Sequence, residues 1–139
     1  MVVDTSTLIG AVLRPNSIPR QAFLVAVRSF ELCISHATLN ELREVVQRPK
    51  FDRYAPLQER LDFCALVALH SRLCEVDAES SHAAEGACRD AKDAKFLALA
   101  LDCCAETLVS SDVDLLVLHT WQGISILTPA AFLQTTTGS

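Results

Sequence analysis

The chain predicts an α/β fold, a mostly parallel sheet with helices on both faces. Two observations carry that expectation. Short apolar runs of strand type alternate with longer stretches of helical type, the pattern of strands joined by helical crossovers. Asp4 and Asp112 directly follow two of the strand-like runs, at the carboxyl ends where open parallel sheets place their ligands. The 139 residues, half of them hydrophobic, suit one domain. Such a chain buries roughly 70% of its unfolded surface, enough for a core without staples. A single domain over 1–134 is expected, with 135–139, small and polar, as a disordered tail.

The opening Met1-Val2-Val3-Asp4 reads as a buried strand that ends in a carboxylate. A helix is expected over Pro19–Phe30, because proline suits a first turn where its missing N–H costs nothing. Leu32–Ser35 reads as the second strand. Ala37–Gln47 reads as a helix with the apolar face Leu39, Leu42, Val45 and Val46. Pro49 closes it, since the residue before a proline is pushed out of the helical region. Leu57–Leu73 follows as a long apolar helix, and a further strand is expected near Cys74–Asp77. Asp90–Cys104 is a helix whose buried stripe runs through Phe96, Leu97 and Ala100. A strand over Thr107–Ser110, a helix over Val113–Leu118, a strand over Ser125–Leu127 and a helix over Pro129–Leu133 complete the chain.

Composition excludes several function classes. No apolar run approaches the roughly 20 residues of a membrane span, and no secretory signal is visible, so a soluble cytoplasmic protein is expected. The six cysteines show no C-x-x-C pair, and no His stands at zinc-finger spacing. Most lie in apolar stretches and read as small core hydrophobes. A net charge of -5, from 17 acids against 12 bases, argues against a general nucleic-acid coat. Setting aside Asp4, Glu41, Asp93, Asp112 and Asp114 brings the acids level with the 12 bases. The excess can therefore be assigned to one site, although other sets of five acids balance equally well.

Those five acids are the candidate chemistry. Asp93 continues the apolar stripe of its helix, with Asp90 one turn earlier on the same face, and Glu41 flanks the apolar face of its own. Two unit charges ~4 Å apart repel by about 4 kcal/mol at an effective dielectric of 20, and a divalent cation removes that penalty. Carboxylates without His or Cys favour Mg2+ or Mn2+. Each acid taken singly has another reading. Asp90 and Asp93 suit a helix cap, Asp112 the cap of the next helix, Glu41 a solvated face and Asp4 a turn.

The stretches VVDTSTLIGAVL, ELREVVQRPKF, CRDAKDAKFLALAL, TLVSSDVDLL and GISILTPAAFL, in that order, resemble the PIN-domain family. The resemblance is nearest to the toxins of toxin–antitoxin pairs related to VapC. It implies a three-layer α/β/α sandwich and a Mg2+- or Mn2+-dependent endoribonuclease. Carried over by motif, the family's acids match Asp4, Glu41, Asp93 and Asp112, and Asp114 matches an additional acid. Asp4, Asp93, Asp112 and Asp114 would hold the ions, with Glu41 orienting or deprotonating the attacking water. Ser110 matches the hydroxyl of the fourth motif. Where the family often has Asn two residues after its first Asp, this chain has Ser6, whose reach is shorter. The resemblance also implies a cognate antitoxin and a homodimer as partners.

Arg43, Arg48, Lys50 and Arg53 follow Glu41, and Arg89, Lys92 and Lys95 surround Asp93. These cations are candidates to guide RNA phosphates toward the acids. A solvated helix face that pairs Glu44 with Arg48 is the alternative. Two other functions remain open: a PIN-like binding protein with impaired catalysis, and a phosphatase that uses Asp4 as nucleophile.

Overall fold

The computed structural model describes residues 1–137. Strands β1 (Val2–Val3), β4 (Thr107–Val109) and β5 (Ser125–Leu127) form one parallel sheet in the order β1-β4-β5. Strands β2 (Leu32–Ile34) and β3 (Ser71–Leu73) form a parallel pair. The Cys33 N–H donates to the Met1 carbonyl at 2.9 Å and the Met1 amine to the Glu31 carbonyl at 2.6 Å. These two bonds set β2 beside β1, so one edge-to-edge array runs through the centre of the molecule.

Alternation along the strands sends successive side chains to opposite faces. Val3, Leu32, Val109 and Leu127 join one core, packed by α1 (Thr5–Leu13), α2 (Ile18–Ser29), α3 (His36–Val46), α4 (Leu57–Leu69) and α8 (Pro129–Thr137). Val2, Cys33, Leu108 and Ile126 join the other, packed by α5 (Ala78–Ala87), α6 (Ala94–Asp102) and α7 (Val113–Leu116). The chain is thus an α/β fold with a central parallel sheet flanked by helices on both faces. Among the described residues no helix is long and apolar enough to cross a membrane.

Local chemistry explains where the observed elements differ from expectation. Helix α1 follows β1 without a loop because Asp4 caps it, its Oδ1 accepting the Thr7 N–H at 3.0 Å. The expected Leu57–Leu73 helix stops at Leu69, and the next strand is Ser71–Leu73 rather than Cys74–Asp77. Pairing with β2 outweighs helical periodicity there. Helix α5, capped by Asp77, was not expected; its apolar face is only small residues. Residues Asp90–Asp93 form a turn ahead of α6 rather than its first turn. Helix α8 continues to Thr137, so 135–137 are helical and not a disordered tail. Gly138 and Ser139 lie outside the described residues.

One buried charge organises the segment between α3 and α4. Arg60 on α4 is fully buried and donates to the carbonyls of Val46, Arg48 and Ala55 at 2.7, 3.2 and 3.1 Å. It also pairs with Asp52, whose side chain is largely exposed. Arg60 therefore holds the short 3-10 turn Pro49–Phe51, and with it Arg48 and Lys50, against the body of the fold. Arg60→Met should destabilise the protein by about 3 kcal/mol, because it orphans three carbonyls and one carboxylate. Asp52→Asn should cost less than about 1 kcal/mol, the usual range for a pair with an exposed member. Urea unfolding of both variants checks the contrast.

Candidate functional site

The carboxyl ends of β1 and β4 lie side by side, so the residues that follow them converge. The Asp4 N–H donates to Val109 at 3.0 Å, which sets Asp4 beside Ser110. Asp4 is only 3% exposed and its carboxylate is clamped. Oδ2 accepts from Ser110 Oγ at 2.6 Å and Ser6 Oγ at 3.1 Å, while Oδ1 holds Thr7. Burial still raises its pKa above the ordinary value, against the lowering effect of those hydrogen bonds. Ser110, itself fully buried, accepts the Asp112 N–H at 2.9 Å and so links the two acids. Asp112 in turn caps α7, accepting the Asp114 N–H at 2.8 Å.

Asp93 enters from the opposite core, at the start of α6. Its Oδ2 is buried and has no hydrogen-bond partner. Burial is the largest cause lifting its carboxyl to about 7, followed by the neighbouring Asp112, then Asp90 and Asp4. One carboxylate oxygen each from Asp90, Asp93 and Asp114 lies within 4.8 Å of the other two. Asp90, expected only in support, is therefore part of the tightest acidic group. Asp4 and Asp112 adjoin that group as neighbours in the same field.

Glu41 reaches in from α3, which begins at Ser35 just past β2 with a reciprocal Ser35–Thr38 cap. Both of its oxygens are engaged. Oε2 accepts from Thr5 Oγ1 at 2.5 Å and Oε1 pairs with Lys95 Nζ at 2.8 Å. Asp4, Glu41, Asp90, Asp93 and Asp112 line one cavity of about 380 Å³. Arg48, Lys50 and Lys92 stand on its wall. Arg43 does not; it is exposed on α3, and its charge acts at a distance on Cys64 of α4. Two residues from Glu41, about 200° around the helix, Arg43 points away from the cavity side of α3.

Sequence reasoning missed the parts played by Lys95 and Thr5. Lys95 stands two residues beyond Asp93 and shows no periodicity that would single it out; only the packing of α6 against α3 brings it to Glu41. Thr5 stands next to Asp4 in the chain, and nothing local pairs it with Glu41.

The donor set can coordinate a divalent cation. It is all carboxylate with no His or Cys in the cavity wall, and it contains a buried carboxyl oxygen with no hydrogen-bond partner. Hard, oxygen-seeking ions match such a set. The family model described as PIN domain matches residues 1–114, a span that begins before Asp4 and ends on Asp114. No curated protein matches the chain.

The raised carboxyl of Asp93 has a definite sign in stability. Between its ordinary value of 3.8 and about 7, the folded chain keeps a proton that the unfolded chain has released. Its contribution is fully present below the lower value and is lost as pH rises through the upper one. With a chelator present, the melting temperature should therefore fall from about pH 5 to about pH 7.5. Asp93→Asn should flatten that fall and melt higher than the parent at the upper pH. Calorimetry across the range checks both, and a parent profile identical to that of the variant would contradict the assignment.

Proposed function

The chain belongs to the PIN-domain family, and from that premise we propose that it is a Mg2+- or Mn2+-dependent endoribonuclease, the toxin of a toxin–antitoxin pair. The carrying observation is the meeting of acids from four separate elements around one cavity, with Asp93, one of its lining residues, keeping a buried oxygen unpartnered. No packing requirement explains bringing that much like charge together. A cation does.

Asp90, Asp93 and Asp114 would hold the ion, with Asp112 and Asp4 beside them. When bound, such an ion stabilises charge on phosphoryl oxygens and makes water more acidic. Asp4 is fixed by three donors, so its carboxylate presents one orientation to the cavity. Glu41, held by Thr5 and Lys95, would orient the attacking water and take its proton. Arg48, Lys50 and Lys92 would receive the flanking phosphates of a single-stranded or looped RNA. Attack by water rather than by the ribose 2′-OH leaves a 3′-hydroxyl and a 5′-phosphate.

The same reading supplies the partners. On α4, Phe63, Cys64 and Val67 face the core while Leu57, Leu66 and Leu69 are exposed, Leu69 by 78%. That outer face would serve a homodimer or a cognate antitoxin, in a cytoplasmic setting. The phosphatase alternative gains no support, since a carboxylate buried under three hydrogen bonds is a poor nucleophile. The impaired-PIN alternative rests on Ser6, whose hydroxyl is spent on Asp4.

Purified protein should cleave single-stranded RNA with Mn2+ and stop with EDTA. Asp93→Ala should lower the rate by roughly 1,000-fold or more, the scale on which enzymes lose a principal electrostatic group, while circular dichroism stays unchanged. Wild-type cleavage by that variant would overturn the assignment. Thr5→Val should have a smaller effect, roughly 10- to 100-fold, as expected for a residue that orients another. Its loss should appear in kcat rather than in KM.

A further inference from the structure

At the other end of α6 from Asp93, three thiols meet. Cys33 lies in the middle of β2, Cys74 one residue past β3, and Cys103 at the end of α6. Their sulfurs all lie within 4.8 Å of one another. A nine-residue helix separates this group from the acids, about 13 Å of rise. We propose that Cys33, Cys74 and Cys103 form a second cation site, taking a thiophilic divalent ion of the zinc and cadmium class. The site is independent of the ribonuclease reading.

Ligand chemistry selects the ion. Thiolates bind zinc, cadmium and copper(I) and disfavour Mg2+ and Mn2+, so the two ends of α6 would sort cations by softness. Size agrees as well. With Zn–S bonds of about 2.3 Å, three sulfurs around one ion stand about 3.8–4.0 Å apart, within about 1 Å of the limit observed. The positions are already fixed by backbone bonds: the Cys33 N–H to Met1, the Cys74 N–H to Ile34 at 2.7 Å and the Cys103 N–H to Leu99 at 3.0 Å.

Charge provides a separate argument. Three thiolates around a divalent ion carry one net negative charge. A guanidinium already stands there, with Arg72 Nη2 3.7 Å from Cys33 Sγ and within 3.5 Å of the Cys103 carbonyl. Arg72 is anchored from behind by Glu31 at 3.0 Å. A cavity of about 310 Å³ walled by Cys33, Arg72, Cys103 and Cys104 reaches two of the three thiols and leaves room for a water as fourth ligand. Cys74 lines a separate cavity, and Cys104 is outside the group of three sulfurs. Binding needs no oxidant. Three S–H groups release three protons, and the ion takes their place. The remaining cysteines differ, since Cys64 and Cys88 are buried among apolar neighbours and Cys104 is exposed.

The test uses the reduced, metal-free full-length protein in excess Mg2+, titrated with Cd2+. One equivalent of Cd2+ should produce thiolate-to-cadmium ultraviolet absorption and raise the melting temperature. Cys74→Ser and Cys103→Ser, both at half-buried positions that tolerate the change, should each weaken Cd2+ binding by more than the roughly 10- to 100-fold expected for loss of an outer partner. Cys104→Ser and Asp93→Ala should bind Cd2+ as the parent does. Absorption that fails to saturate at one equivalent, or that survives in Cys103→Ser, would overturn the proposal. A disulfide forming among the three thiols on mild oxidation, in a protein that takes up no Cd2+, would do the same.

Discussion

Like charge held together against its own repulsion is the constraint around which this molecule is arranged. Asp4, Asp90, Asp93, Asp112 and Asp114 come from both sides of the sheet and meet where β1 and β4 end. Two full charges ~4 Å apart repel by about 4 kcal/mol at an effective dielectric of 20, so the fold must hold such groups by other means. It does so with short local bonds. Ser110 joins Asp4 to Asp112, the Thr7 and Asp114 amides neutralise caps, and the Asp90 carbonyl ties the Asp93 amide. What those bonds leave unsatisfied is one buried oxygen of Asp93, together with a carboxyl whose proton is retained to about 7. An oxygen in that state, beside the carboxylates of Asp90 and Asp114, can coordinate a divalent cation.

The two cores make this possible by fixing the elements from opposite faces. Phe23 and Phe63 pack at 5.1 Å between ring centres in the core beneath α1, α2 and α4, which fixes the elements that carry Asp4 and Glu41. Leu97, Leu99, Leu108 and Leu115 lock α6 and α7 against the other face, which fixes Asp93, Asp112 and Asp114. The acids are thus suspended from independently packed layers. Basic residues close the rim, with Lys95 neutralising Glu41 and the Arg60-held turn presenting Arg48 and Lys50. An acidic chain can in this way offer a phosphate a positively charged approach to a negatively charged floor.

Much of the fold was legible in the residues. The alternation of strand and helix, Pro19 and Pro129 in first turns, and the Phe96, Leu97 and Ala100 stripe all correspond to observed elements. Helix α1 was not legible, because Asp4 reads equally well as the end of a strand and as a cap, and the structure uses it as both. Helix α5 was hidden by its composition, since alanine, serine and glycine give no apolar period. The end of α4 was misplaced because periodicity cannot see the neighbour: β3 exists only by pairing with β2.

The order and kind of the acids were determined by the sequence alone, since Asp4 and Asp112 follow apolar strands and Asp93 leads into the apolar stripe of its helix. Local chemistry carries that much because caps and strand ends are set by adjacent residues. Everything that depends on separation in space was decided by the tertiary structure. Asp90 joined the tightest acidic group, Arg43 was turned away from the cavity, and Lys95 was brought to Glu41. Cys33, Cys74 and Cys103 share no motif, yet β-pairing and the packing of α6 bring their sulfurs together. Contacts between distant segments arise from how the layers stack, and no spacing along the chain records that.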